Sequence, residues 1–326
     1  MDRVDIPTSE RFEPAGAIIS NSEKDLIRIA MSRGKSFNSY QILTKLGNGA
    51  ASELYSVFDK KTRHVWALKH VIKNDEKDQR FLDQVENEYF VGSKLDHINI
   101  RSMEKLVRHR KLFKVQAISL IMELVDGEPL DKRLPRNYAQ AVKLFLQVAN
   151  GLNHMHGRGF IHADIKPSNI LVGDNDEVKI IDLGQGCPIG TVKKRIQGTP
   201  GYMAPEQAHR QAITPQTDIY NFGATMYWVL VRELIPTVMP PKEENGGSLF
   251  SGAVETDMVE PPVPPHVKNP RIHSLLSKQI LDCVALHPDD RPESMEIISN
   301  RLELISDLLE NPPQPPPPMI DEETVF

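Results

Sequence analysis

The stretch "FIHADIKPSNILV", residues 160–172, sets four polar side chains of chemical interest between two apolar flanks. The four are His162, Asp164, Lys166 and Asn169. A carboxylate can orient an attacking hydroxyl and accept its proton, and a nearby lysine can place positive charge beside a transferring phosphoryl group. The pattern therefore favours phosphoryl transfer, although a single aspartate in a turn is often only a cap.

A second segment, "KIIDLGQG" at residues 179–186, adds Asp182 next to an apolar predicted strand. With Asp164 and Asn169 it makes three oxygen-bearing side chains at predicted loop positions. Mg²⁺ takes oxygen ligands and keeps several waters, so two protein ligands and the oxygens of a triphosphate suffice. The three residues are therefore the candidates for a metal and its substrate.

An upstream lysine fits the same chemistry. Lys69 ends the apolar motif "WALK", residues 66–69, on a predicted strand, and Glu88 on the next predicted helix is its candidate partner. A lysine held by a glutamate can bind the α- and β-phosphates of a nucleotide. A solvated charge on an edge strand is the plainer alternative for Lys69.

The segment "LGNGAASELY", residues 46–55, carries Gly47 and Gly49 between two predicted strands. Glycine allows a backbone to approach phosphates closely, but a plain hairpin turn would also explain it. Ser52 stands where a third glycine would complete the phosphate-binding pattern.

Composition limits the function classes. The chain has 326 residues and a formal net charge of −5, which gives no sign of a nucleic-acid partner. No apolar run reaches the roughly 18 residues of a membrane span, and "FGATMYWVLV" at 222–231 predicts a buried helix instead. Cys187 and Cys283 show no metal-like spacing, so we expect a reducing compartment, the cytoplasm, and no membrane partner.

The order of elements predicts an α+β protein with two unequal lobes. Strand patterns dominate from Tyr40 to residue 124, with one helix at 77–95 and a strand at 114–124. Helical patterns then follow at 137–157, 216–232, 271–286 and 292–310. Residues 1–39 are predicted to be a partly ordered leader with a short helix at 22–34, and residues 309–326 to be a Pro-rich acidic tail.

Together these motifs resemble the eukaryotic-like (bacterial-type) serine/threonine protein kinases. The resemblance covers residues 40–308 and adds "GTPGYMAPE" at 198–206, "DIYNFG" at 218–223 and "HPDDRP" at 287–292. It implies the bilobal protein kinase fold, with a small β-rich N-lobe at 40–124 that holds the αC helix and a larger helical C-lobe at 125–308. It also implies that Glu206 pairs with Arg291.

The resemblance implies ATP as cofactor with Mg²⁺, or alternatively Mn²⁺, and Ser/Thr hydroxyls of proteins as acceptors. Asp164 would be the catalytic base, Lys166 the γ-phosphate contact, and Asn169 and Asp182 the metal ligands. Thr191 is the candidate site of autophosphorylation. The implied nucleotide-binding residues are Leu46, Gly47, Asn48, Gly49, Ala50, Ala51, Ser52, Glu53, Leu54, Ala67, Lys69, Glu88, Met122 as gatekeeper, Glu123, Val125 and Leu171.

The chain departs from the family pattern at several positions. Ala163 replaces the arginine that commonly pairs with a phosphate on the activation loop, so we hypothesise a non-RD kinase that does not depend strongly on that phosphate. The basic residues 193–195 are either substitute counter-charges or a solvated run. Leu183 replaces a phenylalanine and should be tolerated, whereas Gly92 predicts a loosely held αC helix.

Two alternatives stay open at this point. One is a kinase-fold scaffold or pseudokinase that binds partners through the leader or the Pro-rich tail, since "PPQPPPP" can form a polyproline II helix. The other is a small-molecule phosphotransferase, which "GTPGYMAPE" disfavours. Residues 242–257 predict a surface loop, with or without a partner.

Overall fold

A computed structural model describes residues 36–37, 39–49, 51–111, 113–236 and 261–311. The predicted leader helix at 22–34, Ala50, the loop at 242–257 and the proline-rich part of the tail from residue 312 lie outside the described residues.

The first lobe is built on a six-stranded antiparallel sheet with the order β1-β2-β3-β4-β6-β5. Both faces of its central part are covered, because alternate residues of β4 and β6 lie in two separate buried clusters, one with Ala67 and Met122 and the other with Leu68 and Ile121. The strands are β1 Ser36–Phe37, β2 Tyr40–Asn48, β3 Ser52–Asp59, β4 His64–Ile72, β5 Met103–Lys111 and β6 Lys114–Glu123.

Strand β5 was not predicted from the sequence. Its segment "MEKLVRHRK" has too many charges to show the alternation of a half-buried strand. It lies at the edge of the sheet, where long charged side chains reach water. Register shifts interrupt its pairing with β6 between Met103 and Lys105 and again between His109 and Arg110.

One helix, α1 at Gln79–Gly92, packs against the sheet of the first lobe and corresponds to the predicted αC helix. Its buried residues recur at three- and four-residue intervals and include Leu82, Val85 and Glu88. A 3₁₀ turn at Glu76–Asp78 leads into it, and the Asp75 side chain caps that turn by accepting from two backbone amides.

The second lobe is mainly helical, and its four longest described helices correspond to the predicted ones, whereas the four-residue helices Pro205–Ala208 and Pro265–Lys268 were not predicted. Asn137 caps the first by accepting from the Gln140 amide, and Ser294 caps the last by accepting from the Ile297 amide. The helices are α2 Tyr138–Gly157, α3 Pro205–Ala208, α4 Pro215–Val231, α5 Pro265–Lys268, α6 Ser274–Cys283 and α7 Met295–Glu310.

Short strand pairs fix the loops between these helices. Within the second lobe β9 pairs with β7 and β10, β8 with β11, and β12 with β13. These strands have only two or three residues each, so their pairing is set by the surrounding fold. They are β7 Glu128–Pro129, β8 Phe160–Ile161, β9 Ile170–Val172, β10 Val178–Ile180, β11 Cys187–Pro188, β12 Thr191–Val192 and β13 Ala212–Ile213.

The largest apolar cluster fills the second lobe around α2 and α4. The segment 222–231 lies in α4, and its first half is buried as predicted, with Phe222 and Met226 fully covered. Within the described ranges, no helix combines the length and apolar character needed to cross a membrane. The two lobes together form the bilobal α+β fold that the motifs predicted.

Candidate active site

Lys69 and Glu88 meet beneath the sheet of the first lobe. The Lys69 ammonium donates to Glu88 Oε2 at 2.6 Å, and Glu88 is buried. Burial alone would lower the pKa of Lys69, but the carboxylates of Glu88 and Asp182 outweigh it and raise that pKa. A charged lysine is thus held facing the cleft between the lobes.

Asp182 follows the strand β10 and adopts a left-handed backbone, with φ 60° and ψ 68°. An aspartate tolerates this conformation better than most residues, and it is frequent where function dictates the backbone. Burial would raise the pKa of Asp182, yet the Lys69 ammonium keeps that pKa below its ordinary value. The carboxylate is therefore an anion that faces the lysine of the other lobe.

Asp164, Lys166 and Thr199 form a closed hydrogen-bond triangle. The Lys166 ammonium donates to Asp164 Oδ2 at 2.9 Å and to Thr199 Oγ1 at 2.7 Å. The Thr199 hydroxyl in turn donates to Asp164 Oδ1 at 2.8 Å. The predicted base and the predicted phosphate contact are therefore side by side, and the segment 198–206 is tied to them.

The Asn169 side chain is held in one orientation by the hydrogen bonds that its amide nitrogen donates. Its Nδ2 donates to the backbone oxygen of Asp164 at 2.8 Å and to the Asp164 carboxylate at 3.3 Å. This leaves the amide oxygen, the atom that Mg²⁺ would take, on the other side of the group. With the anionic Asp182 the donor set is all oxygen, so these two residues fit a hard divalent cation.

The loop that carries Asp164 is held in place by hydrogen bonds to a buried carboxylate. Asp218, near the start of α4, accepts from the backbone amides of His162 at 2.9 Å and Ala163 at 2.8 Å. His156 Nε2 contacts the same carboxylate at 2.9 Å. Burial opposes the charge on Asp218, but the hydrogen bond from His156 holds its pKa below the ordinary value.

His162 is a structural link between the two loops. Its Nε2 donates to the carbonyl oxygen of Ile181 at 3.2 Å, and its Nδ1 accepts from the amide of Asp164 at 3.2 Å. These contacts require the tautomer with its hydrogen on Nε2. The histidine therefore links the backbone at Asp164 to the segment just before Asp182.

The glycine-containing turn lies between β2 and β3. A Cβ at Gly47 would meet nothing within 4 Å, whereas one at Gly49 would lie 2.5 Å from Ser52 Oγ. The amide of Gly49 donates to the Ser52 carbonyl at 2.7 Å, which closes the turn. Glu53 bonds to Lys45 and Tyr55, so its carboxylate is engaged within the hairpin.

The other predicted nucleotide residues lie on elements that border the cleft. On neighbouring strands, Ala67 pairs with Met122 in the sheet, and Leu54 stands opposite Lys69. Both Ala67 and Met122 are buried, while Leu171 on β9 comes from the second lobe. The remaining ones are placed on β2, in the turn after it, at the end of β6 or just beyond it: Leu46, Asn48, Ala51, Glu123 and Val125.

Ala163 is surrounded by apolar residues. Ala163 has φ 62° and packs in a buried cluster with Ile161, Cys187 and Ile213.

The three basic residues at 193–195 differ in exposure, because Lys193 is half-buried whereas Lys194 and Arg195 are exposed. Lys193 donates to the Gln185 carbonyl at 2.5 Å, and burial lowers its pKa.

The expectation that Gly92 loosens the αC helix is not supported. Asn87, one turn earlier in α1, donates to the carbonyl oxygens of Gly184 at 3.1 Å and Gly186 at 2.8 Å. Gly92 itself is buried, and its surroundings leave no room for a larger side chain. The second half of the helix is thus hydrogen-bonded to the segment after Asp182.

Sequence reasoning missed Arg101. Its side chain is only 9% exposed, its Nη1 lies 3.9 Å from Met122 Sδ, and its Nε has no hydrogen-bond partner among the described residues. Burial lowers the pKa of this guanidinium. No local pattern in "HINIRSM" signals that an arginine would be buried there.

A family model and several curated proteins match most of this chain. A family model described as "Protein kinase domain" matches residues 40–302. A probable serine/threonine-protein kinase of Clostridium acetobutylicum is 28% identical over 276 residues, which are 81% of this chain and 39% of that protein. An Aurora kinase of Candida glabrata is 33% identical over 220 residues, 66% of this chain and 58% of the relative.

A third relative, the serine/threonine-protein kinase pkn3 of Myxococcus xanthus, is 27% identical over 284 residues, 82% of this chain and 50% of that protein. The chain thus spans between 39% and 58% of the length of these three curated relatives.

Proposed function

The chain belongs to the protein kinase family, and from this premise we propose that it transfers the γ-phosphate of ATP to serine and threonine hydroxyls of proteins. The observation that carries the proposal is the triangle of Asp164, Lys166 and Thr199, described above. It stands beside a complete Lys69–Glu88 ion pair and the anionic Asp182. A phosphotransferase needs these groups assembled at one cleft.

In this proposal Asp164 accepts the proton of the attacking hydroxyl, with Thr199 and Lys166 fixing its two oxygens. Lys166 also places its positive charge beside the transferring group, and Lys69 holds the α- and β-phosphates. Asn169 and Asp182 hold Mg²⁺, or alternatively Mn²⁺. When bound, the metal neutralises charge on the phosphates, and the protein contributes mainly by positioning.

The kinase domain is proposed to cover residues 40–308, with the N-lobe at 40–124 and the C-lobe at 125–308. The last strand of the six-stranded sheet ends at Glu123, which supports the division, and α7 continues to Glu310. Residues 1–39 and 309–326 are candidate partner-binding segments. Because Cys187 and Cys283 are both free and buried, a reducing, cytoplasmic location is proposed.

We further propose that activity does not require phosphate on the activation segment. The segment is tied by β12, where Thr191 pairs with Ile213, and by the Lys193 bond to the Gln185 carbonyl. The Thr191 hydroxyl donates to the Pro188 carbonyl at 2.6 Å, so a phosphate there would have to break that bond.

Replacing Thr191 by alanine should therefore keep kcat within about threefold of the parent, because the loss is one neutral hydrogen bond. Steady-state kinetics on a generic basic protein substrate would measure it, with Thr62→Ala as a matched control. Thr62 is an exposed turn residue whose hydroxyl also makes one hydrogen bond, to Asp59 at 3.1 Å. A folded Thr191→Ala protein with no activity would contradict independence from loop phosphate.

Intact-mass spectrometry tests the proposed function itself. Phosphatase-treated protein is incubated with Mg²⁺-ATP and a basic protein acceptor, in parallel with samples that contain EDTA or that offer a sugar or an amine instead. Phosphate should appear on serine or threonine of a protein, and only with the metal. Transfer to the small molecules alone would favour a small-molecule phosphotransferase, and nucleotide binding without any transfer would favour the scaffold.

A further inference from the structure

The face of the six-stranded sheet that points away from α1 carries its own apolar cluster, which we call the outer cluster. Its buried members come one from each of four strands, β2, β3, β4 and β6: Tyr40, Val57, Leu68 and Ile121. The half-buried side chains that pack against them are Ile42, Tyr55 and Trp66. Helix α1 lies on the opposite face, where its Leu82 and Val85 join a different cluster.

The outer cluster is more deeply buried than the sheet alone explains. Val57 and Ile121 are 0% exposed, and Leu68 is 1% exposed. Side chains stand roughly perpendicular to a sheet, so their strand neighbours cover their sides and leave their outer ends to whatever lies above. Every member of the cluster belongs to the sheet, and no helix of the described residues contributes a side chain to it. Another stretch of polypeptide is therefore needed to cover this face.

The part of the chain that precedes the described residues ends beside this face. Residues 1–35 lead directly into β1, where Phe37 pairs in the backbone ladder with Tyr40 of the outer cluster. Four strand spacings of about 4.8 Å separate β1 from β6, a distance of roughly 19 Å. A helix over the 13 residues 22–34 would be about 20 Å long. The helix predicted there is thus long enough to cross the strands that carry the cluster.

The sequence of this segment matches an apolar sheet face. In "SEKDLIRIAMSRG", Leu26, Ile27, Ala30 and Met31 recur at the spacing of one helical side, with Ile29 next to them. The opposite side of the helix would be polar: Lys24, Asp25, Arg28 and Ser32. Because the segment is attached at β1, its effective concentration at the face is on the order of millimolar, which favours it over a partner from solution.

We propose that residues 22–34 pack as a helix on the outer cluster and cover this face of the N-lobe sheet. The sheet then lies between two helices, α1 and the leader helix. Leu68 and Lys69 are neighbours on β4 whose side chains point to opposite faces, so this packing also supports the strand that presents Lys69 to the cleft. The inference does not depend on the proposed kinase function.

The test uses the full chain, with Trp66 as the reporter of the outer cluster. The chain has two tryptophans, and the other, Trp228, is replaced by phenylalanine in every protein compared. Quenching of Trp66 fluorescence by acrylamide measures how far water-soluble molecules reach the cluster. The melting temperature and the mass in solution, by light scattering, are measured on the same samples.

The variants differ in the side of the predicted helix that they change. Ile27→Asp/Met31→Asp puts two charges on the apolar stripe. The matched control, Ser22→Asp/Ser32→Asp, adds the same two charges off the stripe and keeps a capping residue at the start of the helix. Met31→Asp and Ser32→Asp are a milder pair, for use if the first double variant fails to fold.

We expect Ile27→Asp/Met31→Asp to raise the quenching constant of Trp66 at least about twofold and to lower the melting temperature by about 5 °C or more, because the cluster is then open to water. The matched control should shift the melting temperature by less than about 2 °C, since surface changes are nearly neutral. The parent should be a monomer whose melting temperature does not depend on protein concentration, because the cover belongs to the same chain.

Equal quenching and equal melting temperatures in the stripe variants and their controls would overturn the proposal. A dimeric parent in which dilution exposes Trp66 would also overturn it and would assign the face to a second copy of the chain. Exposure of Trp66 on removal of residues 312–326 alone would assign the face to the tail instead. None of these measurements needs phosphate transfer, so an inactive parent would count against the proposed function only.

Discussion

Asp164→Asn should lower kcat by a factor of about 10²–10⁴, the usual contribution of a positioned general base. The variant keeps the size of the side chain and one oxygen, but it removes the negative charge that accepts the proton. It also presents an amide donor to neighbours that already donate, since Lys166 and Thr199 each give a hydrogen to one of the two carboxylate oxygens. At least one of these bonds is therefore lost.

KM for ATP should change much less, because Lys69, Glu88 and Asp182 lie outside the triangle and stay in place. Initial rates over a range of ATP concentrations separate the two quantities. Asp174→Asn is the matched control, since Asp174 is an exposed aspartate of the same lobe that pairs with Arg133 at 2.7 Å. Equal kcat values for the two variants would show that Asp164 is not the base.

The sequence was enough to predict a candidate site because the proposed chemistry depends on residue types in a fixed order. Asp164, Asn169 and Asp182 are brought together by two loops only a few residues apart in the chain, and their apolar flanks form short buried strands. The Lys69–Glu88 pair also needed only a strand followed by a helix. The local sequence pattern is enough to indicate these residues, so the structure mainly adds the distances between them.

What the sequence could not predict depends on contacts between distant segments. Arg101 looks like any surface arginine in the sequence, but its backbone amide bonds to the Ile180 carbonyl at 3.0 Å and its side chain is buried. Gly92 suggested a weak helix, because nothing nearby in the chain indicates that Met103 returns to fill the space. Strand β5 was missed because its many charged side chains hide the strand pattern, and only the fold places it at the edge of the sheet, where these side chains reach water.

Arg291→Met should lower the free energy of unfolding by about 3–5 kcal/mol, the usual cost of breaking a buried ion pair by removing one partner. The guanidinium holds Glu206 with two bonds, Nη1 to Oε1 at 2.7 Å and Nη2 to Oε2 at 3.0 Å. Its other donors reach the carbonyl oxygens of Ala285, Gln216 and Leu286 at 2.8, 2.8 and 3.0 Å. All five donors are thus satisfied.

Without the arginine, Glu206 keeps only Thr217, whose hydroxyl donates to Oε1 at 2.9 Å, as a side-chain partner among the described residues. A nearly unpaired carboxylate would remain buried, and three carbonyl oxygens would lose their donor. Because a whole domain is stable by only about 5–15 kcal/mol, the loss is a large fraction of the total. Urea denaturation followed by circular dichroism measures it.

Two further variants separate the ion pair from general damage. Arg291→Lys keeps the charge but offers three donors instead of five, so it should fall between the parent and Arg291→Met and remain folded if the latter does not. Lys278→Met breaks an exposed pair with Asp282 at 2.8 Å and should cost less than about 1 kcal/mol. If Arg291→Met lost no more stability than Lys278→Met, the buried pair would not brace the lobe. Arg291 and Glu206 are 85 residues apart in the chain. Their ion pair therefore joins helix α3, which contains Glu206, to the loop before α7.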